Sequence, residues 1–365
     1  MTGASSPASP RTGPVSRIDP ERAYRRGTTA GPTLLRLDTN EGPLPPRTLL
    51  AVLASADLEL LRRYPEVAAL EAALATRLSV PLERVIVTAG ADEAIDRACR
   101  AFLEPGRSML LPEPSFDMFD RCAALAGGTL VRVPWWGDAF PLDGFLERLE
   151  ARVAVVVVVS PNNPTGSVAT LADLRSLAAR APNALVILDH VYVEYADADL
   201  TAAVLDLPNV LVLRTFSKAW GLAGCRVGYA VGSPYVIGVL RAAGGPYSVA
   251  APSVALALAQ LERGGEPMRA HVSRIREERR LLAAQLTAYG LSPRPSQANF
   301  LFVDCGPRAS VLRADLTVGG VVVRDFPDRP GLESALRITL PGNAPDFDRL
   351  SEALDVALAA QGLGR

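Results

Sequence analysis

The chain is almost without lysine. One of its 38 basic residues is lysine, Lys218, and the other 37 are arginine. It has two histidines, His190 and His271, and four scattered cysteines, Cys99, Cys122, Cys225 and Cys305, with no Cys-x-x-Cys pair. That spacing argues against a zinc site or any other metal centre and against a disulfide scaffold. It fits a reducing compartment, so the expected location is cytoplasmic. Net charge is −1, which leaves no electrostatic footprint for nucleic acid or a membrane surface. The first residues lack the apolar stretch of a signal peptide. The longest apolar run, Val153 to Val159, is far too short to cross a bilayer. There is no basic helix-turn-helix segment, which sets aside a regulator fusion. Gly221, Gly224 and Gly228 do not have Gly-x-Gly-x-x-Gly spacing, which sets aside a nicotinamide dehydrogenase.

What is present is hydrophobic, 49% of 365 residues, enough for one large α/β domain and a smaller one. Residues 1–19, rich in Ser, Pro, Thr and Gly, read as a disordered leader. Residues 20–44 read as an N-terminal arm joining the small domain, with Leu35-Arg36-Leu37 extended before a polar turn. Residues 45–252 read as the large domain. Leu61 to Glu66 is expected to open a helix with Pro65 in its first turn. Short β-branched runs follow at Val85–Val87, Ser108–Leu111, Thr129–Val133, Val153–Val159, Leu185–Leu188, Val210–Leu213 and Val227–Val231. Strands alternating with helices predict a mostly parallel sheet. From Pro252 the pattern turns to long helices, Arg274–Leu286 the clearest, with strands at Phe300–Val303, Val321–Val323 and Leu336–Thr339. Residues 253–365 therefore read as a smaller α+β domain.

In a parallel sheet the ligand lies beyond the carboxyl ends of the strands. Gly90, Phe116, Asn163, Asp189 and Lys218 each follow a predicted strand, so all five converge on one edge. Lysine forms Schiff bases and arginine does not. A lysine that survives where arginine serves everywhere else therefore reads as chemistry. A chance survivor on a solvated face would not explain the flanks Thr215, Ser217, Gly224 and Arg226, which are phosphate-gripping residue types. A lysine imine beside a phosphate grip suggests pyridoxal 5'-phosphate.

These segments together resemble the histidinol-phosphate aminotransferase family, within the PLP-dependent transferases of fold type I. The motifs are Asn40-Glu41-x-Pro43, Arg63-Tyr64-Pro65, Gly90-Ala91-Asp92-Glu93, Ser160 to Gly166, Ser217-Lys218-Ala219 with Gly224-x-Arg226, and Leu336-Arg337-Ile338-Thr339. The resemblance runs from about Tyr24 to Leu354. The resemblance implies that Lys218 carries the cofactor and shuttles a proton. It implies that Asp189 pairs with the pyridine nitrogen, that Asn163 and Tyr192 bind the phenolic oxygen, and that Phe116 stacks on the ring. The backbone of Ala91 and Asp92 beside Gly90, with Thr215, Ser217 and Arg226, would hold the phosphate. Tyr64 would reach the phosphate of a second subunit, giving a homodimer with shared sites. Arg337, assisted by Arg324, Tyr24 and Asn40, would take the anionic group of an amino donor or a 2-oxo acid.

The implied activity is an amino transfer. The alternatives are an aromatic or specialised-pathway aminotransferase and a threonine-phosphate-type decarboxylase of the same fold. The chain departs from the family at His190, where glutamate is usual, and at Phe116, where tyrosine is common. His190 reads as a residue packed in the core.

Overall fold

The computed structural model describes residues 34–362. The expected leader and Tyr24 lie outside the described residues. Strand β1 (Leu35–Leu37) opens the described chain, and then β2 (Val85–Thr88), β3 (Ser108–Glu113), β4 (Thr129–Pro134), β5 (Val153–Val159), β6 (Leu185–Asp189), β7 (Val210–Thr215) and β8 (Gly228–Gly232) form one sheet. Its order is β2-β8-β7-β6-β5-β3-β4. The pairs β3–β4, β3–β5, β5–β6 and β6–β7 are parallel, and only β8 runs against its two neighbours. The mostly parallel α/β sheet expected from the alternating pattern is therefore present.

Strand β5 shows why. All seven of its residues are buried, as a parallel strand covered on both faces requires. Val155, Val157 and Val159 enter one core, with Ile95 and Ala98 of the helix Gly90–Phe102 and Phe119 of the helix Asp117–Ala126. Val156 and Val158 point the other way, into a core with Leu174 and Leu177 of the helix Leu171–Arg180. The side-chain period of two thus fills both layers from one strand. The helix Leu171–Arg180 starts at a capping box, in which Thr170 and Asp173 each accept the other's backbone N–H.

A second sheet is built from β9 (Ser292–Pro293), β10 (Phe300–Asp304), β11 (Val321–Asp325) and β12 (Ala335–Thr339), in the order β1-β11-β12-β10-β9. The expected helix Arg274–Leu286 is the middle of a longer one, Gly265–Ala288. The expected helix start at Leu61–Glu66 differs. A short helix, Glu59–Arg62, ends there, Arg63 is extended, and the next helix is Ala68–Leu78. Pro65 therefore sits in a link between two helices, which leaves Tyr64 76% exposed on the surface.

Behind the lysine segment lies a buried ion pair. Arg214 of β7 donates to Glu194 Oε1 at 3.0 Å, Asp199 Oδ2 at 3.0 Å and Thr201 Oγ1 at 2.9 Å. Trp220 Nε1 donates to the same Glu194 oxygen at 3.1 Å. Arg214→Met should cost roughly 3 kcal/mol or more, because it strands Glu194 in the interior. Arg214→Met with Glu194→Gln should recover a large part of that loss. Urea unfolding of the three proteins checks this, and equal losses in the single and double variants would show that the pair is not coupled.

Candidate active site

The carboxyl ends of β2, β3, β5, β6 and β7 share one edge, and antiparallel β8 begins there, with Gly228 opposite both Thr88 and Thr215. The five residues predicted at strand ends, Gly90, Phe116, Asn163, Asp189 and Lys218, fall around that edge. The helix Gly90–Phe102 begins two residues after β2 without a side-chain cap, so its first-turn N–H groups, including those of Ala91 and Asp92, face outward. Gly228 packs against this turn so closely that a Cβ would lie 2.7 Å from the Ala91 nitrogen. Arg226, at φ 51°, is one of three non-glycine described residues in the left-handed region. That costly backbone aims its guanidinium back over the helix start, 3.0 Å from Asp92 Oδ2 and 3.3 Å from Ser217 Oγ. Ser217 N–H in turn donates to Thr215 Oγ1 at 3.0 Å. Two hydroxyls, a guanidinium and a helix N-terminus therefore surround one small volume.

Asp189 ends β6 and is fully enclosed, accepting a hydrogen bond from Val191 N–H at 3.3 Å. Burial pushes its carboxyl up to about 7, and the charge of Asp92 adds to this while Lys218 opposes it. His190 uses both ring nitrogens on backbone. Nδ1 donates to the Ser160 carbonyl, and Nε2 accepts from Leu200 N–H at 3.2 Å. Burial and the nearby Arg214 push its pKa down to about 4, so it is a neutral core residue that ties the turn after β5 to β6.

Lys218 Nζ donates to the carbonyls of Asn40 at 3.0 Å and Thr39 at 3.4 Å and lies 5.4 Å from the Tyr192 ring centre. Asn40, another left-handed residue, is buried, and its amide donates to Tyr192 Oη at 3.0 Å. The Tyr192 ring is held edge-on against Phe300. Gly42 packs against the Lys218 carbonyl where no Cβ would fit, so the segment after β1 is pressed onto the lysine turn.

Arg337, in the all-buried strand β12, donates to Asn163 Oδ1 at 2.6 Å and to the Asp38 carbonyl at 2.7 Å. Its Nε has no partner, and among the described residues no carboxylate pairs with it. Burial pushes its pKa down to about 10. Arg324 of β11 is its register partner and lies 5.8 Å from the Phe326 ring centre. Phe116 is half-buried at the start of the helix Asp117–Ala126. Tyr64 stacks on Tyr247 at 4.4 Å, apart from the other predicted residues of this chain. Sequence reading missed Thr339 and Asn299. Asn299 donates to the carbonyls of Asn40 and Glu41, and Thr339 was visible only as the second residue after Arg337 in the same strand.

Comparison with known proteins places the chain in a family. The family model described as aminotransferase class I and II matches residues 33–354. The chain is 36% identical over 334 residues to a histidinol-phosphate aminotransferase of Symbiobacterium thermophilum, covering 89% of this chain and 91% of that one. It is 32% identical over 343 residues to an aromatic amino acid aminotransferase of Cutibacterium acnes, covering 92% and 96%. A solved histidinol-phosphate aminotransferase from Sinorhizobium meliloti, in complex with pyridoxal-5'-phosphate, superposes with a TM-score of 0.80 at 27% identity, covering 90% and 91%. No described helix is long and apolar enough to cross a membrane.

The raised carboxyl of Asp189 sets a pH dependence. Its folded value, about 7, lies above the ordinary 3.8, so the folded state holds the proton more tightly than the unfolded chain. The resulting stabilisation is full below about 4 and is lost as pH rises through about 7. Asp189→Asn should flatten the stability profile of the ligand-free protein over that window in chemical denaturation. An unchanged slope between about pH 4 and about pH 7 would contradict the assignment.

Proposed function

The chain belongs to the class I and II aminotransferases, and from that membership we propose that it is a pyridoxal 5'-phosphate enzyme that passes an amino group from a phosphate-bearing amino donor, histidinol phosphate first among candidates, to 2-oxoglutarate. The observation that carries this reading is the chain's one lysine, set at the sheet edge between a buried carboxylate and an uncapped helix start ringed by hydroxyls and Arg226.

The donor set fits that cofactor. The Gly228 close approach and the Ser217, Thr215 and Arg226 cluster form a cradle for a phosphate dianion. Asp189, held near neutrality by burial, becomes a charged carboxylate when a cationic N–H is placed beside it. Tyr192 and Asn163 would hold the ring's phenolic oxygen, and Phe116 its face. When bound, the cofactor supplies the electron sink for the carbon that loses its proton. Lys218 supplies the amine that anchors it and the base that moves that proton, and the Asn40 and Thr39 carbonyls keep its Nζ beside Tyr192.

Arg337 binds the substrate's anionic group. A buried guanidinium without a carboxylate partner is stabilised by an incoming anion, and its free Nε offers a further donor. Arg324 across the register adds a second positive charge, which favours phosphate over a single carboxylate. An aromatic amino acid is the second reading, supported by the Cutibacterium acnes relative and by the hydroxyl-free Phe116.

The test incubates purified protein with the cofactor and one amine at a time. Glutamate and histidinol phosphate should each convert the bound cofactor's visible absorbance, glutamate releasing 2-oxoglutarate, and 2-oxoglutarate added after histidinol phosphate should be consumed and restore the absorbance, with no carbon dioxide released. Borohydride should fix the cofactor mass on the peptide holding Lys218, and Lys218→Arg should abolish both signals. Carbon dioxide release without use of 2-oxoglutarate would instead identify a decarboxylase.

The protein is further proposed to work as a homodimer with shared sites. Tyr64 and four leucines of the same stretch, Leu44, Leu50, Leu58 and Leu61, are each more than 60% exposed, an apolar surface that suits a second copy. Mixing inactive Lys218→Ala subunits with Tyr64→Phe subunits should restore one intact site per heterodimer. Light scattering that finds an active monomer would overturn this.

A further inference from the structure

Tyr192, Asn40 and Thr339 are joined in a chain of hydrogen bonds. The starting point is a backbone N–H, which can only donate. Asn40 N–H points at Thr339 Oγ1, 3.3 Å away. That bond leaves the Thr339 hydroxyl hydrogen free, and it is donated to Asn40 Oδ1 at 2.7 Å. The Asn40 side-chain amide is thereby fixed, oxygen toward Thr339 and NH₂ toward Tyr192 Oη at 3.0 Å. Tyr192 Oη accepts from Asn40, so its own hydrogen is left to donate elsewhere. Asn299 holds the same residue from behind, donating to the Asn40 carbonyl at 3.4 Å and the Glu41 carbonyl at 3.2 Å. Asn40 and Thr339 are both buried, so solvent does not compete for these bonds.

We propose that Thr339 is a positioning residue: by fixing the Asn40 amide, its hydroxyl makes Tyr192 donate a hydrogen bond into the cofactor site rather than back into the protein. Without that hydroxyl the Asn40 amide is free to turn over. Its oxygen would then face Tyr192, and the tyrosine hydrogen would be spent on Asn40. Thr339 lies two residues from Arg337 on β12, so both side chains leave the same face of the strand. One strand therefore carries the residue proposed to meet the substrate anion and the residue that orients the proton facing the cofactor.

The inference rests on the proposed cofactor site, and its test separates the two. A donor to the ring's phenolic oxygen draws charge from it and depresses the pH at which the bound cofactor's visible band titrates. Thr339→Val keeps the shape and removes only the hydroxyl, and it should raise that midpoint by about one pH unit. Thr339→Ser should return it to the wild-type value. In a Tyr192→Phe background, Thr339→Val should add no further shift, since the two act on one bond. Should the valine protein fail to fold, Thr339→Ala is titrated in its place. An unchanged midpoint in the valine protein, or an equal added shift in the phenylalanine background, would overturn the role of Thr339. A wild-type protein that develops no visible band would overturn the cofactor reading instead.

Discussion

A guanidinium leaves water only when something inside the protein replaces the lost hydrogen bonds. At Arg337 the replacements come from two directions: the side chain of Asn163, beyond β5 in the large sheet, and the Asp38 carbonyl, just after β1 in the small one. The first bond joins the small sheet to the large one at the site, and the second ties the segment after β1 to β12. The second also brings the N-terminal segment across the lysine turn, where Gly42 meets the Lys218 carbonyl. The contacts of Lys218 with Thr39 and Asn40 follow from that crossing, as does the bond between Asn40 and Tyr192.

The site holds two groups of opposite sign whose charge burial disfavours. The Asp189 carboxyl is pushed up to about 7 and the Arg337 guanidinium down to about 10, in both cases chiefly by desolvation. Each is relieved by a partner of opposite charge. In the proposed function the cofactor's ring nitrogen serves the first and the substrate's anion the second. Behind them, Arg214 is held by Glu194, Asp199 and Thr201. Contrasting the two arginines separates scaffold from site, since one is paired with carboxylates and the other has no carboxylate partner among the described residues.

The large sheet was legible because β-branched runs such as Val153–Val159 have only one good placement, covered on both faces. The edge at which Gly90, Phe116, Asn163, Asp189 and Lys218 gather followed from strand ends alone. The link at Arg63-Tyr64-Pro65 was misread as a helix start. Proline suits a first helical turn, but Arg63 is extended and the helix that carries the apolar face, Ala68–Leu78, begins three residues after Pro65. The network of Asn40, Thr339 and Asn299 was hidden for another reason. It is made of ordinary polar residues far apart in sequence, and nothing local marks a side chain whose partner arrives from the other end of the chain. Tyr24 falls outside the described residues.

The pairing of β1 with β11 sets Leu35 beside Val321, with the entire large sheet lying between them in sequence. During synthesis the first strand emerges early and must stay unpaired until most of the chain has been made. Closing so long a loop is entropically costly and slow. The N-terminal segment can thus pair only after β11 has been made, and the carbonyls of Thr39 and Asn40 reach Lys218 when it docks. Completion of the site is thereby made a late event in the life of the chain, after the large sheet has already formed its core.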